Sequence, residues 1–146
     1  LALGADIRVM AQSAKLAASY AKRGVLPESG GTWYLPRMLG WAKAAELIFT
    51  GRTLSAAQSL EIGLVNRVVA DSDVMGAARD LALEIAANAP LSVQISKQVV
   101  AEAFHWPAQE RWQRQNALLE TIIHSKDAHE GALAFNEKRP PVWTGE

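Results

Sequence analysis

The stretch Gly24–Gly51, GVLPESGGTWYLPRMLGWAKAAELIFTG, joins a Pro-Glu step and a glycine pair to two apolar segments. The first segment predicts a helix with Thr32 as its N-cap and Pro36 in its first turns. In the second, apolar residues recur at helical spacing as far as Gly51, which predicts another helix that this glycine ends. The stretch therefore predicts a turn that carries Glu28, followed by a pair of helices.

Short strands are expected on both sides of this stretch, and helices dominate the rest of the chain. The apolar runs Ile7–Met10 and Leu64–Val69 predict strands, whereas Ala14–Val25 fits either a strand or a helix. Because few strands are left to pair with one another, we expect the rest of a sheet upstream of Leu1. Further helices are predicted at Ser55–Gly63, Asp73–Asn88, Leu91–Phe104, Pro107–His124 and Asp127–Arg139.

The chain opens on residues that are already apolar and periodic. Leu1–Ala5 fits the last turn of a helix, and no Met or helix cap precedes it. We therefore expect the sequence to be the C-terminal portion of a longer chain. Within it, residues 1–70 are expected to belong to an α/β core and residues 71–146 to a helical segment.

Composition excludes several classes of partner. The 146 residues include fifteen basic and fifteen acidic side chains, so no one-signed surface for nucleic acid or membrane is expected. There is no cysteine, which excludes disulfides and thiolate metal sites. No apolar run approaches the roughly 20 residues of a membrane span. These features predict a soluble cytoplasmic protein.

Glu28 is the candidate for proton transfer. A carboxyl group does acid–base work when its surroundings raise its pKa and a substrate proton is within reach. Leu26, Pro27 and Trp33 are apolar neighbours of Glu28 in sequence, and the glycines after it allow a ligand to approach the backbone closely. Local sequence alone nevertheless favours the alternative, a solvated glutamate in a turn.

Phe135 and Lys138 form a second candidate site, one helical turn apart near the end of the last predicted helix. An aromatic ring and a cation placed in this way can stack on a purine and neutralise its phosphate. Locally, the stronger alternative is a cation that caps a helix beside a core phenylalanine. His124 and His129 have no third ligand nearby, so no metal site is expected.

Three separated segments together resemble the enoyl-CoA hydratase/isomerase, or crotonase, family. They are ADIRVMAQSAKLA, then the stretch from Gly24 to Val69, and finally EGALAFNEKRPPVWTG. The resemblance covers essentially the whole chain as the second half of that family. It implies an α/β fold: the C-terminal part of a ββα-spiral core, followed by a helical segment that packs trimers, often paired as hexamers.

The resemblance also implies a site. In the hydratases of the family two glutamates activate water; one would lie upstream of Leu1, and Tyr20 stands in the place of the other, within LAASY. Glu28 instead matches the acid of the isomerase branches, notably the ring-epoxide isomerase of phenylacetyl-CoA breakdown and the double-bond isomerases. There one carboxylate moves a proton between carbons of an acyl-CoA, with the carbonyl held by an upstream oxyanion hole.

Further roles are implied position by position. Tyr20 and Trp33, with Leu26 and Pro27, would shape the acyl pocket. Phe135 and Lys138 would approach the adenine and phosphate of CoA, often from a neighbouring subunit; no separate cofactor is implied, because CoA is part of the substrate. Two alternatives remain open: an enoyl-CoA hydratase, and an oligomer that binds CoA esters without catalysis.

Overall fold

The computed structural model describes residues 2–146. Its contacts divide the chain into a first unit that ends at Asp80 and a second unit, Leu81–Glu146. The functional division between residues 70 and 71 stays a prediction. Of the predicted helical turn at Leu1–Ala5, Ala2–Gly4 forms a short 3-10 helix, and Leu1 lies outside the described residues.

The first unit contains short strands and helices in alternation. β1 pairs with β4 in parallel, with Met10 opposite Val68, and β2 pairs with β3 in an antiparallel manner, with Leu16 opposite Leu54. The ambiguous segment Ala14–Val25 thus begins as a strand and continues into a 3-10 helix. The elements are β1 (Val9–Ala11), β2 (Lys15–Ala17), α1 (Gly31–Leu39), α2 (Trp41–Thr50), β3 (Thr53–Ser55), α3 (Ala56–Glu61) and β4 (Arg67–Val69).

The core of this unit lies where α1 and α2 pack together. Gly40 separates the two helices with φ +76°, a conformation open to glycine that lets α2 begin directly after α1. Ala44 and Leu47, three residues apart on α2, share the buried face. The buried cluster is Leu35, Ala44, Leu47, Leu54 and Leu64.

The helix starts differ in how well the sequence predicts them. Ser55 caps α3 as predicted: its hydroxyl accepts the Gln58 N–H at 3.2 Å, and the Gln58 side chain accepts the Ser55 N–H at 2.9 Å. The prediction of Thr32 as N-cap of α1 is wrong. The helix begins at Gly31, because the left-handed turn before it already directs the Gly31 N–H to the Glu28 carbonyl, at 3.0 Å.

The second unit is helical, and its elements lie close to the predicted ranges. They are α4 (Val74–Ala86), in which the division between the units falls, α5 (Pro90–Glu102), α6 (Arg111–Ile123) and α7 (Lys126–Glu137). The placement of Pro107 in the first turn of α6 is wrong. Pro107 instead starts a separate turn, in which its carbonyl accepts the Glu110 N–H at 2.9 Å, so the helix begins at Arg111.

The tail after α7 folds back on that helix. Asp127 is 2% exposed, and its carboxylate accepts the N–H groups of Thr144 at 2.7 Å and Gly145 at 3.0 Å. The Trp143 indole donates to the Ala87 carbonyl at 2.7 Å. A buried carboxylate needs such partners, so Asp127 and the tail stabilise each other. None of the helices in residues 2–146 is long and apolar enough to cross a bilayer.

Candidate functional site

Glu28 lies at an exposed turn immediately before α1. Its carbonyl accepts the Gly31 N–H, and the two residues between them have left-handed backbones, with φ of +51° at Ser29 and +81° at Gly30. A serine in this conformation is uncommon and costs conformational energy. The turn thus leaves the Glu28 carboxylate open to a ligand from outside the first unit.

The two glycines of this turn are fixed by their neighbours. A Cβ on Gly31 would lie 2.9 Å from Cβ of Pro27, and a Cβ on Gly30 would lie 2.6 Å from the Tyr34 ring. Both distances are shorter than carbon contacts allow. The Ser-Gly-Gly sequence therefore sets how closely the Pro-Glu step approaches α1.

The apolar neighbours predicted for Glu28 divide into buried and exposed residues. Pro27 is buried, whereas Leu26 is 82% exposed and Trp33 is 44% exposed. The Arg37 guanidinium lies over the Trp33 ring, 3.1 Å from its centre, and donates to the Trp33 carbonyl at 3.0 Å. Leu26 and the exposed part of Trp33 thus lie on either side of Glu28 in sequence.

Tyr20 is half-buried and lines a cavity of about 170 Å³ in the first unit. Glu28, Leu26 and Trp33 do not line it. Most of its lining is apolar, and Arg8 and Arg52 also contribute to it. Sequence reasoning identified Tyr20 but missed the cavity, since its walls come from residues far apart in the chain; among them are Leu3, Leu16, Ala17, Ala18, Leu35 and Leu54.

The second candidate pair lies in the second unit. Phe135 on α7 is 85% exposed, so the alternative of a core phenylalanine is wrong. Lys138 follows the helix with φ +55°, and its N–H donates to the Phe135 carbonyl at 3.3 Å. This left-handed residue ends α7 before Arg139, where the sequence had placed the end. Within residues 2–146 the exposed Lys138 ammonium has no ion-pair partner.

The positive-φ residues other than glycine mark both candidate sites. Within residues 2–146 they are Ser29, directly after Glu28, and Lys138 itself. Such conformations cluster at active sites and ligand-binding turns, although a left-handed residue such as Lys138 is also common at the end of a helix. Each candidate site thus coincides with a local backbone strain.

A charged cluster beside Lys138 was missed at the sequence level. The Arg139 guanidinium donates to both oxygens of Glu130, at 2.6 and 2.9 Å, and its Nε donates to Glu137 at 2.6 Å. The Arg139 hydrogen bonds, and then the Val142 N–H at 2.8 Å, lower the pKa of Glu130 to about 2. No helical spacing indicates this pair in the sequence, because side-chain pairs on a helix form three or four residues apart and Arg139 lies beyond the left-handed Lys138.

The histidines do not assemble a metal site. His124 Nε2 lies 3.0 Å from a Glu120 oxygen on the surface of α6, one helical turn away. In the part of the chain that the structure describes, no group of three or more His, Asp or Glu side chains could hold a metal ion.

The fold and these motifs define the class of the protein. The whole chain, residues 1–146, matches the family model described as enoyl-CoA hydratase/isomerase. The chain therefore belongs to the enoyl-CoA hydratase/isomerase family, and the family prediction made from its motifs is confirmed.

Individual relatives agree with this assignment. The carnitinyl-CoA dehydratases of Salmonella agona and Salmonella dublin are each 42% identical to the chain, covering 99% of it and 57% of the relative. An enoyl-CoA hydratase structure from Mycobacterium tuberculosis H37Rv superposes with a TM-score of 0.95 at 38% identity, over 99% of this chain and 57% of that one. An enoyl-CoA hydratase structure from Bacillus anthracis superposes with a TM-score of 0.94 at 38% identity, over 99% of this chain and 56% of that one. The chain thus has a crotonase-like α/β fold and spans about 57% of the length of the curated relatives it matches.

Proposed function

We propose that this chain is the C-terminal portion of an acyl-CoA isomerase, in which Glu28 transfers the proton. The observation that carries the proposal is the exposed carboxylate of Glu28 on a strained turn, together with a tyrosine, Tyr20, at the other carboxylate position of the family. The phenol of tyrosine has a reference pKa near 10, which makes it a poor base at neutral pH. In this proposal, Glu28 is the carboxylate within residues 1–146 that moves the proton.

The chemistry follows from one carboxylate. Glu28 takes a proton from one carbon of the acyl group, the electron pair passes into the thioester enolate, and Glu28 returns the proton at another carbon. The charge on the enolate oxygen would be stabilised by backbone N–H groups upstream of Leu1. Tyr20 and Trp33, with Leu26 and Pro27, would shape the acyl pocket.

The second unit would supply the CoA contacts of the proposal, often to a neighbouring subunit, as the family resemblance implies. The exposed Phe135 ring offers a flat apolar face for adenine, and the unpaired Lys138 ammonium offers a cation for the phosphate of CoA. In this proposal the helical segment also assembles the enzyme into trimers or hexamers, as the family resemblance implies. The enzyme would act in the cytoplasm and need no cofactor besides its CoA ester.

A hydratase is the second candidate, because the matched relatives are named carnitinyl-CoA dehydratase and enoyl-CoA hydratase. In that case Glu28, or a glutamate upstream, would activate water rather than return a proton to carbon. Assays of the full-length enzyme on a panel of enoyl-CoA esters, with the products identified by mass spectrometry, separate the two: isomerisation moves the double bond at unchanged mass, while hydration adds one water.

Glu28→Gln in the full-length enzyme tests the assignment. The amide keeps the size of the side chain but cannot accept the proton, so we expect kcat to fall by at least about 100-fold, the range typical of a lost general base. Binding of the CoA ester should survive. Exchange of the α-proton with deuterated water, followed by NMR, measures the step directly.

Glu61→Gln is the matched control, since Glu61 is an exposed carboxylate on α3 outside the candidate site. Normal exchange and turnover in Glu28→Gln would overturn the role of Glu28. Absence of turnover on every thioester in the unaltered enzyme, despite measurable binding, would instead indicate a non-catalytic CoA-ester-binding oligomer.

A further inference from the structure

Glu130, in the charged cluster beside Lys138, makes more hydrogen bonds than a simple surface ion pair would. Glu130 lies on α7 and holds Arg139 through two parallel hydrogen bonds, at 2.6 and 2.9 Å. The same carboxylate accepts the Val142 N–H at 2.8 Å, beyond the Pro140-Pro141 step. Glu130 thus fixes the chain at two points after the helix, and its side chain is only 20% exposed.

Lys138 is the residue directly before the first of these two points. Its left-handed backbone, with φ +55°, reverses the chain so that Arg139 returns to Glu130. A free lysine side chain loses rotamer entropy on being held in place. Fixing its backbone on both sides reduces the number of directions in which the ammonium can point.

We propose that Glu130 and Arg139 are positioning residues for the Lys138 ammonium, and that their pairing sets the affinity of the protein for the phosphate of CoA. This inference rests on the proposed function, because it assumes that Lys138 meets that phosphate. Neither Glu130 nor Arg139 needs to touch the ligand. Glu130 also neutralises Arg139, so that Lys138 is the cation left available at this end of α7.

The charge of Glu130 and its positioning role have opposite effects on phosphate binding, so one substitution can distinguish them. Removing the negative charge of Glu130 should, by Coulomb's law alone, strengthen binding of an anionic phosphate nearby. Loss of positioning should weaken the same binding. Glu130→Gln therefore gives opposite results for the two effects, and Glu137→Gln is the matched control. Glu137 contacts Arg139 only at Nε and holds no group after Pro141, so its loss removes a charge without removing the double hydrogen bond.

Calorimetric titration of the full-length enzyme with CoA and with 3′-dephospho-CoA measures the effect. We expect Glu130→Gln to raise the Kd for CoA on the order of tenfold, the scale of one charge-assisted contact. The Kd for 3′-dephospho-CoA should not change. Lys138→Ala should show the same pattern, and the double variant should equal Lys138→Ala alone. Glu137→Gln should leave the Kd for CoA unchanged or lower it.

Arg139→Lys provides a second variant should Glu130→Gln fail to fold, because lysine keeps the charge but loses the double hydrogen bond. In steady-state assays these changes should appear in KM for the CoA ester and not in kcat. If Lys138→Ala weakens CoA binding while Glu130→Gln and Arg139→Lys do not, the positioning role is wrong and the proposed function stands. If Lys138→Ala has no effect, the proposed phosphate contact fails and this inference fails with it.

Discussion

Lys138 combines a strained backbone with a freely exposed cation. At φ +55° an L-residue is disfavoured by its Cβ, whereas glycine adopts this conformation at the end of a helix without a steric penalty. We therefore expect Lys138→Gly to stabilise the protein by up to about 1 kcal/mol and yet to weaken CoA binding. Urea unfolding gives the first quantity and calorimetric titration gives the second.

Lys43→Gly is the control for this opposition of stability and binding. Lys43 is also exposed but lies in the first turn of α2, where glycine costs up to about 1 kcal/mol, the value for a helix interior. The two substitutions should thus change the free energy of unfolding in opposite directions. Destabilisation by both would show that the backbone of Lys138 is not strained in solution.

At the residue scale, the sequence could predict which side chains are candidates but not how each is exposed. Glu28 follows from a Pro-Glu step before glycines, and Ser55 from its capping pattern, because both are local. From the sequence, Phe135 could also be a core residue, since helical spacing does not show whether another element packs over that face of the helix. Its 85% exposure depends on the packing of the whole unit.

At the element scale, the start of α1 depends on a glycine that permits close packing. We expect Gly31→Ala to lower kcat, because the new Cβ would lie 2.9 Å from Cβ of Pro27 and must displace the Pro-Glu step. Gly76→Ala is the matched change on α4, where no atom lies within 4 Å of the new Cβ. There we expect unchanged kcat and about 0.5–1 kcal/mol of added stability.

Turnover of both variants at saturating substrate, together with their urea unfolding curves, checks this pair. Full activity in Gly31→Ala would mean that the position of Glu28 does not depend on close contact between Pro27 and α1. Alanine has a higher helix propensity than glycine at both positions. A loss of kcat in Gly31→Ala but not in Gly76→Ala would therefore come from the contact with Pro27 and not from helix propensity.

Helix starts and ends show why some elements escape sequence reasoning. Thr32 has the side chain of an N-cap, but the left-handed residues before it had already turned the chain, so α1 begins at Gly31. Pro107 is compatible with a helical first turn, yet it starts a separate turn before Arg111. In both cases the residue type permits the predicted role, and the backbone of the preceding turn decides against it.

At the scale of the whole molecule, what the sequence predicts is limited by distance along the chain. The parallel pairing of β1 and β4 joins Val9 to Arg67, and no local pattern specifies that partner. The cavity beside Tyr20 likewise draws its walls from across the first unit. The family resemblance supplied the fold class but neither this strand pairing nor this cavity, because separated motifs in a fixed order identify a fold without specifying its contacts.

The tail that folds back on α7 should give the molecule an acid-sensitive contribution to its stability. The pKa of Glu130 falls from 4.5 to about 2 in the folded state, first through its hydrogen bonds from Arg139 and then through the Val142 N–H. A lowered folded pKa means that this contribution is complete above about pH 4.5 and is lost as the pH falls towards 2.

We expect the difference in unfolding free energy between the unaltered protein and Glu130→Gln to shrink over this window. Urea unfolding at pH 6 and at pH 2.5, followed by circular dichroism, measures both differences. Ser55→Ala is the control, since it removes a helix cap worth about 1 kcal/mol and no ionisable group, so its deficit should be alike at both pH values. A deficit for Glu130→Gln that persists undiminished at pH 2.5 would show that the carboxylate charge does not hold the tail.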